Sequence, residues 1–148
     1  MFIDSLLKVS AAQAYGAAAV STNAIDLGLP GGVGTPLKRQ IGTGEPMGFG
    51  VSIDVAATVA PPIIEIISAT DAALTAGIIS HVTVTPWTLA QAIAGALAFI
   101  PLPQGTPTQR YLGVRITTAG GTVSASAWLT THSLFSILAA SYAKAFTV

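Results

Sequence analysis

Along most of this chain apolar and polar residues alternate with period two, the pattern of strands with one face buried. Val51, Ile53 and Val55 share one face, with Ser52 and Asp54 opposite. Ile64 and Ile66 oppose Ile63, Glu65 and Ile67. Val82 and Val84 oppose His81, Thr83 and Thr85, and Leu112, Val114 and Ile116 oppose Tyr111, Gly113, Arg115 and Thr117. Val123, Ala125, Ala127 and Leu129 oppose Ser124, Ser126, Trp128 and Thr130. Strands near 20–27 and 97–102 bring the count to seven or eight, separated by loops rich in Gly, Pro and Thr. Short, regularly spaced strands of this kind predict an all-β fold, an antiparallel jelly roll or β-sandwich. The Ala-rich stretch 88–95 predicts one helical turn, and no βαβ period suggests a doubly wound sheet.

The first eighteen residues read differently. Ile3, Leu6 and Leu7 have helical spacing, and a small-residue run follows from Ala11 to Ala19. This predicts an N-terminal docking arm over 1–18, with one helical turn, ahead of a jelly-roll domain over 19–148. Phe2, Ile3, Leu6 and Leu7 are its candidate contact residues. Residues 28–36 form a Gly/Pro loop. The stretch Gly42–Gly50 is a second glycine-rich segment, entering the strand at 49–56. Glu45-Pro46 within it marks a shaped loop expected at a subunit or capsid contact, with Glu45 as a candidate partner for a basic group.

Composition sharpens the picture. Of 148 residues, 51% are hydrophobic and only 8% charged, with six basic residues balancing six acidic ones. Intrinsic disorder requires the opposite balance. Nucleic-acid binding requires clustered basic residues, and Lys38-Arg39 is the only adjacent pair. The 11 Ser and 17 Thr solvate part of the surface; the shortage of charge points to a component of a larger assembly. Asp4 and Lys8 argue against a signal peptide. No Asp, Glu, Lys or Arg occurs from Ala72 to Gln109, but Pro86, Pro101, Pro103 and Pro107 divide the run, so no membrane span is expected.

Candidate chemistry is sparse. The absence of cysteine removes thiolate chemistry and disulfides. Gly42-x-Gly44 is followed by Met47 where a dinucleotide fingerprint needs glycine, and no phosphate-loop, zinc or nucleophile-elbow motif occurs. His81 and His132 lack further ligands at useful spacing. Glu65, among four isoleucines, faces solvent or pairs with an arginine rather than acting as a general acid. Neither an enzyme, a cofactor nor a metal is expected. Trp128, on a face with Ser124, Ser126 and Thr130, either meets a partner or lies under a segment of its own domain.

Several stretches carry a family resemblance. Met1–Ala14, the segment Ser21–Gly28, the run Ile41-Gly42-Thr43-Gly44-Glu45-Pro46-Met47-Gly48-Phe49-Gly50-Val51, Pro101-Leu102-Pro103, Arg110–Arg115 and Phe146-Thr147-Val148 occur in order. Together they resemble the tailed-phage capsid cement proteins first known from a Bordetella phage. The resemblance implies a jelly-roll homo-oligomer, a homodimer or alternatively a homotrimer. It would sit on the outer surface of the virion capsid, bridge major capsid protein subunits and stabilise the shell. Residues 56–98 are more apolar and less charged than the family's pattern, and Tyr142–Ala145 also departs from it; these regions are expected to meet different partners. The alternative is a carbohydrate-binding β-sandwich adhesin with Trp87, Tyr111 and Trp128 as stacking platforms, although Asn23 is its only asparagine.

Overall fold

The computed structural model describes residues 7–28, 40–41, 45–103, 106–107 and 109–145. In chain order its elements are β1 (Lys8–Tyr15), β2 (Ala19–Val20), β3 (Ile25–Asp26), β4 (Gln40–Ile41), β5 (Met47–Val55), β6 (Ile63–Ala69), β7 (Ile79–Val84), β8 (Leu97–Pro101), β9 (Thr106–Pro107), β10 (Tyr111–Thr117), β11 (Val123–Thr131) and α1 (His132–Ala145). One sheet has the order β1-β11-β5-β8; a second has β2-β10-β6-β7, with β3 also on β10. The short β4 and β9 pair with each other. Every pairing is antiparallel. The pairs are nested: β1 with β11, β2 and β3 with β10, β5 with β8, and β6 with β7. A chain doubled back on itself and then rolled produces this nesting, and the expected jelly roll is the fold found.

The core follows the alternation. Phe49, Val51 and Ile53 of β5, Ile64 and Ile66 of β6, Leu112, Val114 and Ile116 of β10, and Val123, Ala125, Ala127 and Leu129 of β11 fill the space between the sheets. Two β-bulges break the expected faces. Ala125 pairs with Ile53 and Ser124 with Val55, so Asp54 is an extra residue and Val55 swings outward to 61% exposure. Ile66 pairs with Val82 but Ile67 with Ser80, so His81 leaves the face of Thr83. There its Nε2 lies 2.7 Å from the Ser68 hydroxyl.

The N-terminal expectation needs correction. Lys8–Tyr15 is not part of a separate arm but the edge strand of the β1-β11-β5-β8 sheet, while the helical turn expected from Ile3, Leu6 and Leu7 lies, but for Leu7, outside the described residues. Val9 and Tyr15 are fully buried, and these two side chains are what the strand carries into the core. The strand shifts register twice, and Ala12 takes φ 45°. Its amide donates to Ser126 Oγ at 2.8 Å, and Ser126 donates in turn to Asp54 Oδ2 at 2.8 Å. An edge broken in this way offers a poor template for further strands. Met1–Leu6 lie outside the described residues. The turn expected at 88–95 is present, with Ala92 N bonded to Thr88 O at 3.0 Å. Helix α1 was not expected from the strand pattern.

Candidate interaction surface

The outer face of the β1-β11-β5-β8 sheet is where Trp128 lies. Register places Lys8, Trp128, Gly50 and Phe99 side by side across it. Gly50 has no Cβ to obstruct the ring; one placed there would lie 2.7 Å from Trp128 Cε2. Phe135 and Leu138 of α1 close over the indole, with Leu97, Phe99 and Ala139 beside them, leaving Trp128 4% exposed. Phe99 also meets the rings of His132 and Phe135 at 5.2 and 5.5 Å. Trp128 therefore lies under a segment of its own chain, the second of the two roles its position allowed.

Glu45 has an intramolecular task as well. Its Oε1 accepts the Ser133 amide at 3.1 Å and the Ser133 hydroxyl. Thr131 Oγ1 accepts the Leu134 amide at 3.4 Å. These groups satisfy free amides in the first turn of α1, where the helix dipole favours a negative charge. The Ser133 hydrogen bonds hold the Glu45 carboxyl below its ordinary range. Within the chain, then, Glu45 faces a helix N-terminus. Leu7 is half-buried against the main core. Phe2, Ile3 and Leu6 lie outside the described residues.

On the other sheet's outer face the chain again covers itself. Leu74, at φ 57° and 1% exposed, packs on Ile67 and Ala69. It sits over Gly113, where a Cβ would be 2.5 Å from Leu74 Cδ1. Asp71 holds this loop by accepting from Thr75 N, Thr75 Oγ1 and Ala76 N. Glu65 pairs with Arg115, one of the two roles its position allowed, and Asp26 pairs with Arg110. Arg110 lies 4.9 Å above the Tyr111 ring. Trp87 is in the main core, Trp128 under α1 and Tyr111 beside the Leu74 cluster, so these aromatics form no common platform. Among the described residues no three His, Asp, Glu or Cys side chains come together to hold a metal. No described helix is long and apolar enough to cross a membrane.

One end of the sandwich remains. Register brings the ends of β1, β5, β7 and β10 together with the starts of β6, β8 and β11. The connections 16–18, 56–62, 85–96 and 118–122 meet there, joined by Ala57 N to Ala92 O and Thr118 N to Gly16 O. None of these residues is ionisable. Val55, Val59, Leu89 and Ile93 stand out from this end at 61, 59, 39 and 57% exposure. A shallow hollow of about 480 Å³ lies beside them, lined by Ala90, Gln91 and Ile93–Ala96. The strand pattern placed Val55 on the buried face and singled out none of the other three. The signal was the charge-free run from Ala72 and the unusually apolar character of 56–98.

The Bbp16 family model matches residues 9–130, which is most of the chain. The chain belongs to the Bbp16 family. No curated protein matches it. The family is named for a Bordetella phage protein, and the chain is accordingly phage-associated. The matched span begins in β1 and ends in β11, so it takes in both sheets of this Bbp16 jelly roll, Glu45 and Trp128, and stops just before α1.

Proposed function

We propose that this Bbp16 chain is a structural cement protein of a phage head. It binds the outer surface of the assembled icosahedral shell, bridges neighbouring major capsid protein subunits and resists the outward pressure of packed DNA. Membership of the Bbp16 family is the observation that carries this reading. The jelly-roll fold and a composition with 8% charged residues fit it. The mechanism is linkage. A protein that binds only the intact shell shifts the equilibrium away from rupture by its binding free energy. Many copies act together, so modest affinity per site suffices. No reaction is catalysed and no cofactor is needed.

Association into a homodimer, or alternatively a homotrimer, belongs to the same proposal, since little charge opposes contact between copies. The test is direct. Shells lacking the protein, mixed with the purified chain, are expected to bind it at saturable sites and to release DNA at a higher temperature. Saturable binding without a change in shell stability would leave a decoration protein that is no cement. No binding would end the proposal.

A further inference from the structure

We infer that the uncharged end of the sandwich is the surface that meets the shell, and that it takes an uncharged protein surface projecting an apolar side chain into the hollow beside Ile93. This rests on the cement reading and names its contact. Three observations carry it. First, the four connections at this end contain no ionisable residue. The nearest charges lie on the sheet faces, where exposed Asp54 beside Val55 accepts from Ser126 and Glu65 pairs with Arg115, whereas Asp26, Asp71, Arg110 and Glu45 lie towards the opposite end. Burying the four connections themselves removes no ion from water, and their natural complement is a surface without charge; with the Asp54 carboxylate flanking them, the phosphates of a nucleic acid or an anionic membrane find nothing there to pair with.

Second, many of its polar groups are satisfied internally. Thr118 N and Oγ1 both donate to Gly16 O, Thr88 N and Oγ1 to Gln91 Oε1, and Gly95 N to Ile53 O. A partner therefore meets methyl groups rather than unpaired donors, and little hydrogen bonding to water is lost. Third, the end is anchored before any partner arrives. Trp87 and Ala92, in the longest of the four connections, are 8% and 0% exposed and belong to the main core. Anchoring of this sort reduces the ordering cost of association. The hollow also discriminates between occupants. A two-fold contact whose axis passes through the hollow would set hollow against hollow and leave a void whose lining loses its contacts. A projecting apolar group fills it.

The experiment measures binding of the full chain to shells assembled from the major capsid protein alone, at low and high salt. Ile93→Glu and Val59→Glu are each expected to weaken binding by on the order of tenfold or more, because each leaves an unpaired charge in a desolvated contact. Ile78→Glu, on an exposed apolar residue at the opposite end, is expected to bind as the unaltered chain does. Thermal melts and the milder Ile93→Ser separate lost contact from lost folding. Affinity of the unaltered chain should change little with salt. Normal binding by the Ile93 and Val59 variants, or a steep salt dependence, overturns the inference while leaving the cement reading intact. So does dissociation of an oligomer by these variants with shell binding preserved, which would make this end a contact between copies. Failure of the unaltered chain to bind shells removes the cement reading itself, and this contact with it.

Discussion

Gly50 and Trp128 show how one missing side chain determines what can lie above it. The Trp128 ring occupies the space a Cβ at Gly50 would fill. Gly50→Ala must therefore push the indole towards α1, and we expect a loss of about 1–3 kcal/mol in urea unfolding, the usual range for overpacking. The indole N–H is buried with no acceptor in reach among the described residues. Trp128→Ala should cost about 3–5 kcal/mol, as for other large-to-small core changes. Trp128→Phe should cost markedly less, because it removes a polar group that gains nothing from burial. Equal losses for the two variants would mean that the N–H does find an acceptor. His81 supplies the pH dependence at this scale. Burial lowers its pKa below the ordinary 6.5, so between the folded value and 6.5 the folded chain binds fewer protons than the unfolded one. Stability should therefore be full above that interval and fall as pH drops through it. The Ser68 hydroxyl, which accepts the Gln109 amide at 3.0 Å and lies against His81, ties that loss to the β6–β7 hairpin. A His81→Gln variant should show a flatter profile across the same interval in thermal melts.

At the scale of elements, β1 and α1 are where pattern and structure part. β1 does not alternate cleanly, since two bulges fall within eight residues, and its Ala-rich run resembles a flexible arm. What makes it a strand is long-range: β11 pairs along it, and Gln13 bonds Val20 and Thr22 across the turn to β2. Deleting residues 2–9 would remove Val9 from the core, and the burial of a valine accounts for about 1.5–3 kcal/mol. Deleting 2–6 leaves Val9 in place, so we expect it to lower the unfolding midpoint less than deleting 2–9 does; if both deletions melt alike, β1 does not contribute as its burial indicates. α1 was obscured for a different reason. Leu134 and Ile137 face outward while Phe135 and Leu138 face the sheet, so its apolar residues make no single stripe. Its start depends on Glu45, some ninety positions away in the chain, which no local motif could announce. The strands of the core were legible because each hides one face by simple alternation. The lowered Glu45 pKa means that its stabilisation is present above the ordinary carboxyl range and is lost as pH falls through the folded value. Acidification, or Glu45→Gln, is expected to reduce helical signal in circular dichroism before the sheets unfold.

For the whole molecule, nesting the strands means that the first and last must find each other across nearly the full chain. Ser10 Oγ donates to Ala125 O over 115 positions, whereas β6 and β7 are joined by the short loop that Asp71 and Leu74 hold. Closing a long loop has an entropic cost that must be met before its contacts contribute, so local pairs are favoured early and the β1–β11 ladder late. Refolding should accordingly be slow for the chain's size, on the scale of milliseconds to seconds. The order of events can be read from two substitutions. Val9→Ala weakens a contact expected only after the rate-limiting step, so it should speed unfolding and leave refolding unchanged. Ile66→Val, in the β6–β7 pair, should slow refolding. Stopped-flow measurements against denaturant distinguish these effects, and a slower refolding arm for Val9→Ala would show that the outer ladder forms first. Late formation has a consequence for a structural protein. Contacts absent from the transition state are those that retard unfolding, so the strand that closes the roll is also the one that most prolongs the folded state.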